Sequence, residues 1–158
     1  MTERHMSKSA FESTATSLRI SEGFREQAYD DATGRTVRAP VGKLTIGYGT
    51  NIEGSPLTRT EGEWLMRHRL GKAVVELETA RPWVGSLPDD WQRGLMDMAY
   101  NMGVPRLLKF KRMFAALKAR DGETAAAEAL NSNWVRENQV GKRAYDIAAL
   151  FRGRELSV

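Results

Sequence analysis

Three oxygen-bearing side chains in the N-terminal third of the chain have the types and spacing that acid–base hydrolysis needs. Glu22 lies where a helical stripe runs out, Asp31 follows in a turn-rich stretch, and Thr45 opens the segment TIGYGTN. On a buried stripe at a helix C-terminus, a carboxyl group meets the negative end of the helix dipole and a low dielectric, so its pKa rises. A raised glutamate pKa suits a general acid that works near neutral pH.

Each of these residues also has a second interpretation. Glu22 could instead point to water or pair with Arg25. Asp30 and Asp31 are also common turn formers. A loop carboxylate at Asp31 that stays ionised, together with a protonated Glu22, would complete the two-carboxylate apparatus of glycoside hydrolysis. Thr45 could then position the attacking water, or it could be an exposed strand residue.

The neighbouring residues predict the elements that must position this triplet. Ser9 and Glu12 form a capping box for an N-terminal helix whose apolar stripe reaches Glu22. Over 28–52 the chain changes to β-branched and aromatic residues punctuated by glycine, which predicts a small antiparallel sheet. The candidate acid therefore belongs to a helix end, and the other two candidates to a sheet.

Helical periodicity returns for the rest of the chain. Thr58 and Glu61 form a second capping box, and the helix that they start is expected to end before Pro82. The next helix is expected to stop at Gly103. Shorter helical segments are predicted over 107–119, 124–130 and 143–151.

Together these elements predict an α+β, mostly helical fold: an N-terminal helix, a small antiparallel β-sheet with a long hairpin arm, and then a helical bundle. No internal repeat or linker interrupts the chain, so residues 1–158 are expected to form one catalytic domain with a loose tail at 1–8. Trp64, Trp91 and Trp134 fall on apolar stripes and are predicted to lie in the core, whereas Trp83 lies in a loop.

Composition excludes several other chemistries. The chain has no cysteine, so it has neither a disulfide framework nor a thiolate nucleophile. Its two histidines, His5 and His68, are far apart and do not supply a zinc site or a Ser-His-Asp triad. We expect no metal and no organic cofactor. The apolar runs are too short to span a membrane, and no cleavable secretory signal is expected.

The formal charge of +4 and the pI near 9.6 favour a polyanionic partner. Nucleic acid is not expected, because the basic residues are interleaved through the chain without a nucleic-acid-binding motif. The basic stretch PRLLKFKRMFAALKAR is amphipathic. In isolation it would lie on a membrane surface, but within a bundle its pattern predicts a core helix with one solvated face. A weak contact with an outer membrane is left as a secondary role.

The motifs LRISEGFREQAYDD and TIGYGTN resemble those of the phage-type lysozymes, the muramidase endolysins of glycoside hydrolase family 24. The similarity continues in LMDMAYNMG, FKRMFAALKARDGETAAAEAL and GKRAYDIAALF, so it covers most of the chain. The resemblance implies that Glu22 is the general acid and that Asp31 and Thr45 hold the nucleophilic water. It also implies substrate-binding roles for Tyr48, Thr50, Asn101 and Arg143.

The chain departs from the family's pattern at two places. The interval between Asp31 and Thr45 is longer than in relatives, and we interpret the surplus, residues 35–42, as a longer hairpin arm whose role is unassigned. Thr36 keeps closer to the usual interval, but it lacks the Ile-Gly-Tyr-Gly context, so Thr45 is favoured. Thr50 stands where relatives often have His or Asn.

Two of the substrate-binding assignments have structural alternatives. Asn101 could cap its helix beside Gly103 instead of reaching a sugar. Arg143 could be a solvated surface charge instead of approaching the Glu22 side of the cleft. Basic residues of the hairpin arm are further candidates for wall contact: Arg35, Arg38 and Lys43.

The resemblance implies cleavage of the β-1,4 bond between N-acetylmuramic acid and N-acetylglucosamine in peptidoglycan. The reaction would invert the anomeric centre if the carboxyl groups of Glu22 and Asp31 lie roughly 6.5 to 9.5 Å apart. The enzyme is expected to be a monomer, made in the host bacterial cytoplasm and released to the cell wall by a separate pore-forming protein. A lytic transglycosylase and a non-catalytic protein that binds the wall or disrupts membranes are the alternatives.

Overall fold

Helices make up most of the chain that the computed structural model describes, which comprises residues 5–22, 45–46, 50–51, 54–132, 135 and 141–153. In chain order the elements are α1 (Lys8–Glu22), β1 (Thr45–Ile46), β2 (Thr50–Asn51), α2 (Arg59–Ala80), a 3-10 helix (Pro82–Ser86), α3 (Asp89–Met102), α4 (Val104–Leu107), α5 (Lys111–Lys118), α6 (Gly122–Leu130) and α7 (Gly141–Phe151).

The predicted α+β class is wrong. Within the described ranges the only extended pairing is one antiparallel ladder, in which Thr45 pairs with Asn51 and Ile46 with Thr50. Two residues per strand do not make a sheet that can form a layer of the fold. The sequence pattern was misleading because β-branched residues favour a pleated, half-buried surface without specifying a partner strand. The expected hairpin arm at 35–42 lies outside the described residues.

The start of α1 is set by Ser7 and not by the predicted capping box at 9–12. Ser7 Oγ accepts a hydrogen bond from the backbone N–H of Ala10 at 3.2 Å, as an N-cap side chain does. The same hydroxyl donates to Asp89 Oδ2 at 3.0 Å, and the Ser7 N–H donates to Gln92 Oε1 at 2.6 Å. Contacts with α3, which is remote in the sequence, therefore determine which residue caps α1.

Other helix ends follow the local signals. α1 ends at Glu22, as the apolar stripe predicts. At the start of α2, Thr58 and Glu61 form the predicted capping box, each side chain accepting from the other's backbone N–H. α2 ends before Pro82, and α3 ends at Gly103, whose φ of +80° suits glycine.

The core is built around α3, which packs against α1, α2 and α7. Phe151, in the last turn of α7, is buried where α3, α6 and α7 meet. A Cβ atom on Gly94 of α3 would lie 2.7 Å from the Phe151 ring, and one on Gly122 of α6 would lie 2.0 Å from its carbonyl oxygen. The two glycines therefore permit a close approach of helices that no larger residue allows.

The tryptophan predictions have mixed outcomes. Trp64 is 66% exposed and stacks on His68 with ring centroids 5.1 Å apart, so its predicted core position is wrong. Trp91 packs against the core, and Trp83 meets Phe114 edge-on. Trp134 lies outside the described residues. The error at Trp64 arose because α2 carries apolar residues on more than one face, so periodicity alone did not identify the buried side.

The basic stretch 105–120 forms α4 and α5 instead of one continuous helix. On α5 the apolar residues Met113, Phe114, Ala116 and Leu117 are buried. Lys111, Arg112 and Lys118 are exposed. This confirms the interpretation as a core helix with a solvated face. In the described part of the chain, no helix has the length and apolarity needed to cross a bilayer.

Candidate active site

The end of α1 is where the candidate acid lies in the chain. Glu22 is the last residue of the helix, and Ser21 before it is exposed. The last carbonyl groups of a helix have no partner within the helix, and the dipole places partial negative charge there. Glu22 is therefore at the negative end of the α1 dipole.

Arg143 of α7 reaches this end of α1. Its Nη2 donates to Ser21 Oγ at 2.7 Å, and its Nε lies 3.3 Å from Asp97 Oδ1 on α3. The side chains of Arg143 and Asp97 are 15% and 12% exposed, so this is a largely buried ion pair. Arg143 is therefore not the solvated surface charge that the sequence left open. The guanidinium of Arg143 therefore joins α7 to α3 and to the residue of α1 that precedes Glu22.

Asp97 was missed from the sequence. It lies between Met96 and Met98, both fully buried, in the middle of α3. A carboxylate within a buried apolar run is costly unless a cation or hydrogen-bond donor pairs with it. The signal that could have found Asp97 is this lone acid in the run LMDMA, which requires a partner from elsewhere in the chain.

Asn101 lies one helical turn after Asp97, so both residues are on the same side of α3. Asn101 is exposed, two residues before Gly103 ends the helix. This position brings Asn101 to the side of α3 that carries the ion pair with Arg143. Its contact with a sugar stays a prediction.

The remaining predicted site residues are less fully described. Thr45 begins β1 opposite Asn51, and Thr50 begins β2 opposite Ile46, so both threonines belong to the short ladder. Asp31, Tyr48 and the alternative Thr36 lie outside the described residues. Their roles stay predictions.

A chain of charged side chains joins α1 to α2. Arg19 Nη2 donates to Glu63 Oε1 at 2.7 Å, and Arg67 Nε donates to the same oxygen at 3.2 Å. Arg67 also donates to both oxygens of Glu12, at 2.9 and 3.1 Å. Hydrogen bonds from Arg19 and then Arg67 lower the pKa of Glu63. The network holds the helix that ends at Glu22 against α2.

Metal chemistry has no site among the described side chains, where no three acids or histidines lie close enough together to hold an ion. The acidic and basic groups near the end of α1 are instead paired across helices. The arrangement holds the guanidinium of Arg143 against Ser21, in the last turn of α1.

Comparison with known families gives one match. The model of the family described as phage lysozyme matches residues 19–155. The matched range begins in the last turn of α1 and includes every predicted site residue. A comparison with curated proteins gives no match.

Proposed function

Because the chain belongs to the phage lysozyme family, we propose that it hydrolyses the β-1,4 bond between N-acetylmuramic acid and N-acetylglucosamine. Membership makes it a lysozyme-type endolysin, a bacteriolytic hydrolase that acts on peptidoglycan. The bond and the roles of individual residues are the finer part of the proposal.

In the proposed reaction, Glu22 donates its proton to the glycosidic oxygen as the bond to the leaving sugar breaks. Asp31 accepts a proton from a water molecule that Thr45 helps to position, and this water attacks the anomeric carbon from the opposite face. The products are two sugar chains, one of which has a new reducing end of inverted configuration. No metal or organic cofactor takes part.

The observation that carries this proposal is the end of α1. The helix stops at Glu22, and the preceding residue is bound by Arg143, whose charge is paired with Asp97. The negative end of a helix dipole favours the protonated form of a carboxyl group, as a general acid requires. Arg143 brings a cation to the residue that precedes Glu22 in the chain.

The proposed substrate contacts follow the family's pattern. Asn101 and Arg143 would meet the sugar chain from the helical side of the cleft, and Tyr48 and Thr50 from the side of the ladder. A single substitution at each of these residues tests its contact in the assay described next.

The test is release of reducing ends from purified peptidoglycan by the wild type and by Glu22→Gln. We expect the substitution to reduce the rate by about 10²-fold or more, which is the usual contribution of a general acid. Glu76→Gln, an exposed acid on α2, is the matched control and should be as active as the wild type.

Other outcomes of this assay identify the alternatives. Products that carry an anhydro ring without new reducing ends indicate a lytic transglycosylase. Clearing of cells by both the wild type and Glu22→Gln, with no cleavage of glycan, indicates a protein that lyses without catalysis. Either result overturns the proposal.

We also propose that a separate pore-forming protein releases the enzyme from the host cytoplasm to the wall. The test is expression in bacteria with and without a pore-forming protein. Lysis only in the presence of the pore supports the proposal, and rapid lysis in its absence contradicts it.

A further inference from the structure

The ion pair between Asp97 and Arg143 lies where helices from distant parts of the chain meet. A second ion pair on the same helix provides a comparison: Lys142 and Asp146 lie one turn apart on α7, with side chains 71% and 30% exposed. Such a surface pair contributes little to stability. The pair between Asp97 and Arg143 is largely buried and connects α3 with α7.

Burial makes this pair an expensive way to join two helices. Two charges lose their hydration when they leave water, and apolar residues of similar volume often stabilise a core equally well or better. Stability alone therefore does not account for a carboxylate in the middle of the apolar face of α3. What the pair supplies, and an apolar contact does not, is a fixed orientation for a cation.

The two contacts of Arg143 fix that orientation. A guanidinium is a rigid planar fork, so the hydrogen bond from Nη2 to Ser21, together with the charge of Asp97 3.3 Å from Nε, restricts the direction of its plane. Asp97 is a fixed point for this purpose, because it belongs to the buried central helix. Ser21 is the residue next to Glu22.

We propose that Asp97 is a positioning residue for hydrolysis: by pairing with Arg143, it fixes the guanidinium against Ser21, at the end of the helix that carries the general acid. The inference rests on the proposed function. Asp97 acts through Arg143 and does not touch the substrate.

The test is a double-mutant cycle on the rate of reducing-end release, corrected for the folded fraction at the assay temperature. The variants are Asp97→Asn, Arg143→Gln and the double variant. Asparagine keeps the shape of Asp97 and a side-chain oxygen but removes the charge. We expect each single substitution to lower the rate about tenfold or more, as loss of orientation does at an active site. The double variant should be no slower than Arg143→Gln alone.

A structural role gives a different result. If Asp97 only stabilises the fold, Asp97→Asn should leave the corrected rate unchanged, which overturns the proposal. The single variants should also share one signature on soluble peptidoglycan fragments, changing kcat and KM in the same proportions. Asp146→Asn, which removes the surface pair on α7, is the control and should leave the rate unchanged.

Two further variants keep the proposal testable if Asp97→Asn does not fold. Ser21→Ala removes the exposed hydroxyl that Arg143 binds, and Arg143→Lys keeps the charge but loses the fork. Both should slow hydrolysis severalfold or more. If both retain the wild-type rate, orientation of the guanidinium is not needed and the inference is wrong. If the wild type itself releases no reducing ends, the proposed function fails and not this inference alone.

Discussion

At the scale of single residues, burial decides what a polar side chain does. Gln92 is 2% exposed, and its amide group donates to the carbonyl oxygens of Leu87 at 2.8 Å and Gly85 at 3.3 Å. Its oxygen accepts from the backbone N–H of Ser7. One side chain thus satisfies three backbone groups in two segments, which is what a buried amide must do to offset its loss of hydration.

Gln92→Met should therefore destabilise the protein although it keeps the volume of the side chain. The substitution leaves the N–H of Ser7 and the carbonyl of Leu87 without their partner, and each buried unsatisfied group costs about 1 to 3 kcal/mol. Urea unfolding should show a loss of about 2 kcal/mol or more. A loss below about 0.5 kcal/mol would mean that water replaces the amide.

Single substitutions can also distinguish Thr45 from Thr36 as the residue that positions the attacking water. Thr45→Val should slow peptidoglycan hydrolysis by about tenfold or more, because valine has the same shape but cannot hydrogen-bond the attacking water. Thr36→Val is the matched control and should retain activity. The reverse result would assign the water to Thr36 and set aside the Ile-Gly-Tyr-Gly context as the guide.

At the scale of elements, local sequence signals predict some helix ends but do not predict which strands pair. The box at Thr58 and the stops at Pro82 and Gly103 act within a few residues, so the sequence predicts them correctly. The N-cap of α1 depends on Asp89 and Gln92, more than eighty residues away, and was misplaced. The antiparallel sheet was overestimated for a related reason, because strand pairing is not a local property.

The close approach of α6 and α7 gives a sharp test of packing. Gly122→Ala should destabilise by about 1 to 3 kcal/mol, since its Cβ meets a backbone carbonyl that cannot turn aside. Gly71→Ala on α2 is the matched control, because a Cβ there meets nothing within 4 Å. That control should stabilise by about 0.5 to 1 kcal/mol, the usual gain in a helix interior. Thermal or urea unfolding of both variants measures the contrast.

The charged network between α1 and α2 predicts a dependence of stability on pH. Hydrogen bonds from Arg19 and Arg67 lower the pKa of Glu63 below 4.5, so the unfolded chain binds a proton more readily than the folded one. The contribution of Glu63 is therefore present above that value and is lost as the pH falls through the lowered pKa.

The measurement is the difference in Tm between the wild type and Glu63→Gln from pH 7 downwards. We expect the wild type to be more stable at pH 7 and the difference to shrink below about pH 4.5. Glu76→Gln, at an exposed acid on the same helix, is the control variant. A difference that is independent of pH would place the effect of Glu63 in packing and not in charge.

At the scale of the whole molecule, the positive charge is unevenly distributed. Residues 104–120 contain six cationic and no acidic side chains, whereas the whole chain carries +4, so the remainder is net negative by two. The excess lies on α4, α5 and the residues beside them, with the apolar side of α5 in the core. A surface of this kind attracts polyanions.

Binding of the inactive Glu22→Gln protein to insoluble peptidoglycan should therefore weaken as salt increases. Replacing Lys109, Lys111 and Lys118 by glutamine should weaken binding severalfold. The matched control replaces three exposed cations elsewhere: Lys8, Arg69 and Lys72. Equal effects of the two sets in a sedimentation assay would show that net charge matters and its location does not.

The site was predictable from the sequence as a set of residue types but not as an assembly. Glu22 at the end of a helix follows from the apolar stripe, and Arg143 follows from resemblance. The ion pair joins Asp97 and Arg143, which are 46 positions apart in the chain, and it depends on how α3 and α7 cross. Helix crossing is set by packing of whole faces, which residue spacing does not encode.

The position of Phe151 also bears on how the protein is made. Its ring and carbonyl fill the space that Gly94 and Gly122 leave open, so α3 and α6 lack their common neighbour until α7 is present. A ribosome delivers residues in order, at about 5 to 20 per second, and α7 follows the rest of the described bundle. The nascent helices therefore stay incompletely packed until residue 151 has emerged. Hydrolytic activity should then arise in one step late in synthesis instead of growing with chain length.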